Sequence, residues 1–174
     1  MFSNPEKILI QLGISDGSVV ADIGCGNGYY ALLLARKVGE RGRVYCIDVQ
    51  NELLQKLSKE SEGQMLQNIE TIWSDIEKEK GSTLKESSVD VVLIANTFFQ
   101  IEKKALVAEE IKRILRPKGR LLLIEWADSF AGMGPHKDHV IKKEDSLKIF
   151  LDSGFVFDSE IDAGTHHYGL VFRK

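Results

Sequence analysis

Three glycines and one aspartate carry the clearest chemical pattern in this sequence. Gly24, Gly26 and Gly28 fall directly between a short apolar run and a segment of helical composition. Glycine permits a tight turn with positive φ and has no side chain to block a ligand that approaches the backbone. Asp48 ends the next apolar run, 20 residues after Gly28, near the spacing at which an acidic side chain accepts hydrogen bonds from a ribose. These features predict a site for an adenosine-containing ligand.

The same residues argue against other glycine-rich loops. No G-K-[ST] follows the glycines, so the loop is not a phosphate-binding P-loop. The dinucleotide pattern G-x-G-x-x-G requires a third glycine at the position that Tyr29 occupies. A simple glycine turn, with Asp48 capping the following helix, remains the alternative interpretation.

Five segments in order resemble the class I S-adenosylmethionine-dependent methyltransferases. They are VADIGCGNG at 20–28, YCIDV at 45–49, SDI at 74–76, VDVVLIAN at 89–96 and LRPKGRLLLIEW at 115–126. Residues 132–141, GMGPHKDHVI, and the preceding strand are similar to the ubiquinone/menaquinone-biosynthesis type within that family. The resemblance implies S-adenosyl-L-methionine as the cofactor, S-adenosyl-L-homocysteine as the product, and methyl transfer to a small molecule.

The resemblance also implies which residues contact the cofactor. They are Asp22, Gly24, Cys25, Gly26, Asn27, Gly28, Tyr29, Asp48, Val49, Asp75, Ile76, Asn96 and Thr97. In this family pattern the glycine backbone receives the methionine part, and Asp22 helps to hold its ammonium group. Asp48 takes the ribose hydroxyls, Val49 lies against the adenine, and Asp75 with the Ile76 backbone N–H binds the adenine edge. Asn96 and Thr97 face the cleft where the methyl group is presented.

Two of these positions have an ordinary structural alternative. Asp75 is also suited to cap a turn or helix, and Asn96 is of a residue type that favours turns in any protein. A cationic sulfonium cofactor carries no phosphate, which agrees with the absence of a lysine after the glycines.

No general catalytic residue follows from the sequence. A base is needed only when the acceptor must lose a proton. His136, His139 and His167 are weak candidates for a base or an acceptor-binding group, with solvated loop positions as the alternative. His136, Asp138 and His139 do not complete a recognisable ligand set, so no metal site is predicted.

Aromatic residues cluster after the predicted strand ends, whereas one cysteine lies in the glycine turn and the other within a strand. Tyr29, Tyr30, Phe98, Phe99, Trp126 and Phe130 are suited either to wall an acceptor pocket or to fill the core. Cys25 and Cys46 lie inside apolar runs and are expected to be small buried side chains rather than nucleophiles.

Short β-branched runs alternate with helical segments, a pattern typical of a parallel sheet with crossover helices. Strands are predicted at 18–23, 43–49, 68–73, 89–95, 120–125, 155–162 and 167–173, and helices at 5–12, 29–38, 51–62, 102–115 and 142–152. The last two strands are too close for a helical crossover, so they should form an antiparallel hairpin. We therefore expect an α/β fold: a Rossmann-like three-layer α/β/α sandwich around a seven-stranded, mostly parallel sheet. The family resemblance implies the strand order 3-2-1-4-5-7-6.

Composition limits the remaining possibilities. Lysine plus arginine number 23 against 26 for aspartate plus glutamate, and the charges are scattered. This distribution argues against a nucleic-acid partner, because such proteins usually carry a basic stripe. No run is long enough to span a membrane and the N-terminus lacks a signal-peptide layout, so we expect a cytoplasmic protein. We also expect a single domain over residues 1–174, present as a monomer or homodimer, and its small size favours a small acceptor.

Overall fold

The structure is a computed structural model that describes residues 5–130, 132 and 134–174. Residues 1–4 of the N-terminal segment, and Met133 within the segment 132–141, lie outside the described residues. The helices are α1 Pro5–Gln11, α2 Tyr29–Val38, α3 Asn51–Gly63, α4 Lys104–Ile114 and α5 Lys143–Asp152. The strands are β1 Val19–Ile23, β2 Arg43–Asp48, β3 Ile69–Trp73, β4 Val89–Ala95, β5 Leu115–Trp126, β6 Val156–Ile161 and β7 His167–Arg173. Short 3₁₀ turns lie at Phe98–Gln100 and Lys137–His139.

The strands form one seven-stranded sheet in the order β3-β2-β1-β4-β5-β7-β6. Strands β1 to β5 pair in parallel, whereas β7 pairs antiparallel with both β5 and β6. The predicted fold class and strand order are confirmed.

Alternating residues of the central strands belong to two hydrophobic layers, one on each face of the sheet. In β4, Val92 and Ile94 join the layer that contains α4 and α5, while Val91 and Leu93 join the layer that contains α1, α2 and α3. Successive side chains of a strand point to opposite faces, so an apolar strand between two helical layers is buried on both sides. The helices therefore cover both faces of the sheet and leave the carboxyl ends of β1, β2 and β4 open to a cleft.

The start of β5 differs from the sequence prediction. Helix α4 ends at Ile114 and β5 begins at Leu115, whereas the strand was expected only from residue 120. Leu115 pairs with Val89, and the next paired residues are Arg120 and Val91, so residues 116–119 form an irregularity in the ladder. Lys118 in this stretch has φ 66°. Pro117 and Gly119 thus mark a bulge inside β5, not a connection that precedes it.

Candidate functional site: the cleft at the carboxyl edge of the sheet

A cleft of about 600 Å³ lies at the carboxyl ends of β1, β2 and β4. The chain leaves β1 and β4, which are neighbours in the sheet, toward opposite sides of the molecule. Ligands of open α/β sheets bind at such a switch point. The residues that line the cleft are Asp22, Ile23, Gly24, Cys25, Gly26, Asn27, Tyr29, Tyr30, Ile47, Asp48, Val49, Gln50, Ser74, Asp75, Ile76, Glu77, Ala95, Asn96, Thr97, Gln100 and Ile101.

The structure brings twelve of the thirteen expected cofactor residues into this one cleft. Gly28 does not line it; a Cβ at Gly28 would lie 2.2 Å from Leu57 Cδ1, so this glycine makes room for helix α3. Tyr30, which the sequence suits either to wall an acceptor pocket or to fill the core, also lines the cleft. The other lining residues were not among the candidates: Ile23, Ile47, Gln50, Ser74, Glu77, Ala95, Gln100 and Ile101. All eight lie within a few residues of candidate residues in the sequence, and that proximity is the only signal the sequence offers for them.

Gly24 and Gly26 shape the floor of the cleft in different ways. Both have positive φ, 68° at Gly24 and 53° at Gly26, a backbone conformation that side chains disfavour. A Cβ at Gly24 would lie 2.3 Å from Thr97 Cγ2, so this residue must be small to let the β4 end approach. A Cβ at Gly26 would have no protein atom within 4 Å. Gly26 therefore leaves open space above the loop.

Asp48 links the end of β2 to the glycine loop. Its Oδ2 accepts a hydrogen bond from the Gly26 backbone N–H at 2.9 Å, and its Oδ1 accepts one from the Gln50 N–H at 2.8 Å. An ionised carboxylate has about four acceptor positions. The two bonds to the backbone fix the side chain and leave acceptor capacity for a ligand.

Asp22 is a buried carboxylate that forms no ion pair with any of the described residues. Its side chain is 2 % exposed, and its Oδ2 has no hydrogen-bond partner among the described residues. Burial, followed by repulsion from Asp48, raises the pKa of Asp22 to about 7. A buried charge of this kind is costly unless a cation or a donor approaches it.

The segment after β3 is folded back on itself at the edge of the cleft. Asp75 Oδ1 accepts the Glu77 N–H at 2.9 Å, and Ser74 Oγ donates to the Gly81 carbonyl at 2.6 Å. Asp75 thus caps a turn, which was the alternative role proposed for it from the sequence, and it also lines the cleft. The Ile76 side chain is buried in the core.

Asn96 and Thr97 follow β4 and face the glycine loop. Asn96 adopts φ 56°, and its buried Oδ1 has no hydrogen-bond partner within the described part of the chain. Thr97 Oγ1 lies 3.2 Å from the Gly24 carbonyl oxygen and 3.1 Å from that of Ala95. Strained backbone and orphaned polar atoms are concentrated at functional sites.

The acidic side chains of the cleft are not balanced by basic ones among the described lining residues. Asp22, Asp48, Asp75 and Glu77 line it, and none of the described lining residues is lysine, arginine or histidine. A site of this composition favours a cationic ligand and disfavours phosphate groups.

The three candidate histidines do not line the cleft. His136 and His139 are exposed, and His136 Nδ1 lies 3.2 Å from Asp138 Oδ2. His167 is 8 % exposed, its ring lies 4.2 Å from the Trp126 ring, and neither ring nitrogen has a hydrogen-bond partner among the described residues. Burial lowers the pKa of His167, with a smaller contribution from His166. A catalytic role for any of the three stays a prediction.

The six candidate aromatic residues do not share one location: two line the cleft, Phe98 is in the core, and Phe130 is exposed. Tyr29 and Tyr30 line the cleft. Phe98 is fully buried and stacks on Phe150, with ring centroids 5.1 Å apart, so it belongs to the core. Cys25 is half-buried and Cys46 is buried. A hydrogen bond with Cys46, together with burial, raises the pKa of the Cys25 thiol, which makes it a poor nucleophile.

The described residues hold neither a metal-binding cluster nor a membrane-spanning helix. Within residues 5–130, 132 and 134–174, no group of three or more His, Cys, Asp or Glu side chains is arranged to hold a metal ion. Over the same residues, no helix has both the length and the apolar composition needed to cross a membrane.

Comparison with known proteins supports the family resemblance. Residues 14–153 match a family of proteins described as methyltransferase domain. The chain is 27 % identical to demethylmenaquinone methyltransferase of Lactobacillus johnsonii over 124 residues, which are 69 % of this chain and 48 % of that protein. It is 30 % identical to ubiquinone/menaquinone biosynthesis C-methyltransferase UbiE of Hydrogenovibrio crunogenus over 118 residues, 66 % of this chain and 44 % of that protein. The chain thus spans about half the length of these curated relatives.

A solved structure extends the similarity to nearly the whole chain. A SAM-dependent methyltransferase from Aquifex aeolicus superposes with a TM-score of 0.90 at 30 % identity, covering 99 % of this chain and 90 % of that one. The family match covers well over half of the chain, and it contains the glycine loop, Asp48, Asp75 and the end of β4. The chain belongs to the methyltransferase-domain family and has the fold of the S-adenosylmethionine-dependent methyltransferases.

Proposed function

We propose that this chain transfers the methyl group of S-adenosylmethionine to a small-molecule acceptor. One observation carries the proposal: Asp22 is a buried carboxylate with an unpartnered oxygen, within the described residues, in a cleft lined by acidic side chains. S-adenosylmethionine has a sulfonium and an ammonium group and no phosphate. Its charge therefore complements the cleft, whereas a nicotinamide dinucleotide would bring its phosphates against four carboxylates.

The hydrogen-bonding groups around the cleft match those of this cofactor in chemical type. The ammonium group supplies donors for Asp22, and the Asn96 Oδ1, which is also buried without a described partner, can accept a further hydrogen bond. The two ribose hydroxyls can use the acceptor capacity of Asp48 that the backbone bonds leave over. We assign Asp75 and the Ile76 backbone to the adenine edge and Val49 to its face, following the family pattern.

The chemistry places modest demands on the protein. Methyl transfer is an in-line displacement at carbon, and the positive charge of the sulfonium disappears as the acceptor attacks. The protein must hold the acceptor in line and exclude water. Asn96 and Thr97 line the cleft directly after β4, and Tyr30 lines it from α2; we assign these side chains to the acceptor. None of the described lining residues is histidine or lysine, and Asp22, Asp48 and Asp75 are assigned to the cofactor. We therefore expect an acceptor that is already nucleophilic or that loses its proton to solvent.

Names of relatives suggest where to look for the acceptor. One related protein is named demethylmenaquinone methyltransferase, and another is named a C-methyltransferase of ubiquinone/menaquinone biosynthesis. Tyr29 and Tyr30 offer aromatic surface in the cleft for a flat, apolar molecule. A quinol is thus the first class of acceptor to test, within the broader proposal of a small molecule.

Two other functions compete with this proposal. A nucleic-acid or protein methyltransferase would need a docking face, and the scattered charges with a net charge of −3 give no support for a basic one. A non-catalytic protein that binds S-adenosylmethionine and regulates a partner would use the same cleft without turnover.

Methyl transfer from labelled cofactor distinguishes these functions. The purified chain is incubated with methyl-labelled S-adenosylmethionine and a panel of short-chain demethylmenaquinol, small phenols and amines, bulk RNA and a protein mixture. We expect label in a small molecule, with S-adenosylhomocysteine formed in equal amount. Label in RNA or protein alone would overturn the small-molecule acceptor, and tight cofactor binding with no transfer to any acceptor would favour the regulatory role.

A further inference from the structure

Glu125 is a buried carboxylate that the proposed chemistry does not use. It lies near the end of β5, its side chain is fully buried, and it does not line the cleft. A buried carboxylate normally requires ion pairs or hydrogen bonds that offset the free-energy cost of removing its charge from water. The partners of Glu125 are backbone N–H groups, and one of them belongs to a different segment of the chain.

The bonds of Glu125 join β5 to the turn that follows β4. Glu125 Oε2 accepts the Phe99 N–H at 3.0 Å, and Oε1 accepts the Trp126 N–H at 2.8 Å. Phe99 is in the middle of the β4–α4 turn, residues 96–103. The carboxylate therefore ties the centre of this turn to the neighbouring strand.

The β4–α4 turn forms one wall of the cleft. Asn96, Thr97, Gln100 and Ile101 of the turn all line the cleft. Other bonds hold the two ends of the turn: the Asn96 N–H donates to the Ile124 carbonyl at 2.9 Å, and Glu77 Oε2 accepts the N–H groups of Glu102 and Lys103 at 3.0 and 2.7 Å. At the centre the backbone bonds are short-range, from the Gln100 N–H to the Thr97 carbonyl at 3.0 Å and from the Ile101 N–H to the Phe98 carbonyl at 3.2 Å. Phe98 anchors it to the core by stacking on Phe150. Glu125 supplies a polar anchor one residue further along.

We propose that Glu125 is a positioning residue for the cofactor cleft, acting through its bond to the Phe99 N–H on the wall formed by Asn96, Thr97, Gln100 and Ile101. The inference rests on the proposed function only where cofactor affinity is the readout. The bond itself is a property of the protein without ligand.

The protonation state of Glu125 provides a specific signature. Burial raises the pKa of Glu125 to about 7, against the opposing effect of the backbone N–H groups of Trp126, Phe99 and Phe98 and of Lys104. From the other elements, Lys104 on α4 and Tyr168 on β7, which pairs opposite Glu125, are the titratable groups that face it. Burial, with Glu125 among the lesser causes, raises the pKa of Tyr168, so this hydroxyl stays neutral through the range in question.

Protonation removes acceptor capacity from the side chain. A carboxylate accepts both N–H bonds, whereas a protonated carboxyl turns one oxygen into a donor. The Glu125→Gln substitution imitates the protonated form, because the amide nitrogen also donates. The variant should thus behave like the wild-type protein at acidic pH and should lose the pH dependence that Glu125 contributes.

The test compares cofactor affinity of wild type and E125Q across pH. The S-adenosylmethionine Kd is measured by calorimetry from about pH 8.5 to about pH 5.5, a range that brackets the titration. At the alkaline end we expect E125Q to bind roughly fivefold more weakly, the ratio that one lost hydrogen bond gives. The ratio of the two Kd values should fall toward one at the acidic end. Asp22 also titrates near 7 but is present in both proteins, so its effect cancels in the ratio.

Asp90→Asn is the matched control. Asp90 also accepts a backbone N–H from another segment, that of Val19 at 2.8 Å, but it lies at the opposite end of β4 from the cleft. D90N should bind the cofactor as the wild type does. A Kd ratio for E125Q near one at alkaline pH would overturn the proposal, and so would a ratio that does not change with pH, since that would indicate a structural role alone.

A second measurement needs neither a variant nor a ligand. The backbone amide resonances of Phe99 and Trp126 are followed by NMR as the pH of the wild-type protein is changed. Both should shift with a common midpoint near 7. Absence of that midpoint would overturn the inference even if E125Q failed to fold. If wild type bound no S-adenosylmethionine but the amide titration appeared, the proposed function would fail while the positioning bond stood.

Discussion

The Gly26 backbone N–H donates to Asp48 Oδ2 at 2.9 Å, which joins the glycine loop after β1 to the end of β2. The two features that the sequence offers as separate ligand contacts are therefore parts of one hydrogen-bonded unit. Asp48 is only 7 % exposed and is held further by the Gln50 N–H. The loop and the carboxylate are thus arranged before a ligand arrives, which lowers the entropy cost of binding.

Asp48→Asn should weaken cofactor binding strongly. The asparagine keeps one acceptor oxygen but turns an NH₂ group toward either the Gly26 or the Gln50 N–H, both of which donate to the carboxylate, and it leaves fewer acceptor positions for the ribose. We expect the Kd for S-adenosylmethionine to rise by roughly 100-fold, about 3 kcal/mol, the upper range for a hydrogen bond to a charged group. Isothermal titration calorimetry measures the change, with D90N as the control that removes a carboxylate at the far end of the sheet. Equal affinity of D48N and wild type would show that Asp48 is only a structural cap.

Asp22→Asn should stabilise the ligand-free protein while weakening cofactor binding. The unpartnered buried carboxylate costs free energy that a neutral amide avoids. We expect the free energy of unfolding to rise by about 2 kcal/mol near pH 8, measured by urea denaturation. A loss of stability in D22N would mean that Asp22 has a partner that strengthens the fold.

The pH dependence of Asp22 has a definite sign. Its folded-state pKa is about 7, above the ordinary value of 3.8, so the folded protein holds this proton more tightly than the unfolded chain. The contribution to stability is complete below 3.8 and is lost as the pH rises through about 7. The advantage of D22N should therefore shrink as the pH falls from 7 toward 4. Cofactor affinity of the wild type should decline over the same interval, because the ammonium group needs the ionised form.

Gly26→Ala separates backbone strain from ligand exclusion. An alanine at positive φ costs about 1 kcal/mol, and no protein atom would contact the new methyl group. Gly13 is a matched control, since it has φ 58°, is equally unobstructed and does not line the cleft. Both variants should lose similar stability in thermal melts, and only G26A should bind S-adenosylmethionine more weakly, by roughly tenfold or more. Unchanged affinity in G26A would place the methionine part elsewhere.

The candidate histidines should respond differently to substitution. His136 and His139 are exposed, so H136A and H139A should leave methyl transfer within about twofold of wild type. His167→Leu should raise the free energy of unfolding by about 1 kcal/mol, because both buried ring nitrogens lack described partners. A large loss of turnover in H136A or H139A, with the cofactor still bound, would instead give that residue a role with the acceptor.

Much of the fold could be predicted because its signals are local. The apolar runs of β1, β2 and β4 and the helices between them have characteristic lengths, and parallel connectivity follows from their alternation. The start of β5 could not be predicted in this way. Its first pairing, Leu115 with Val89, is a tertiary contact that no local pattern indicates. Pro117 and Gly119 together predict the end of a helix followed by a loop.

The cofactor cleft could be predicted only in part. Residues at or directly after strand ends, such as Asp48 and Asn96, could be placed at the carboxyl edge because parallel strands end together. The packing of Leu57 against Gly28 could not be predicted, because it is a tertiary contact, and a cofactor contact at Gly28 stays a prediction. Glu125 carried no signal, because its importance depends on the Phe99 N–H, which is 26 residues away in the sequence.

Calorimetric titration of the wild-type protein with S-adenosylmethionine, S-adenosylhomocysteine and NAD⁺ tests the central claim most directly. The acidic cleft and the unpartnered Asp22, within the described residues, predict saturable binding of S-adenosylmethionine and of S-adenosylhomocysteine, which keeps the ammonium group, and no binding of NAD⁺. Binding of NAD⁺ without binding of S-adenosylmethionine would contradict the account.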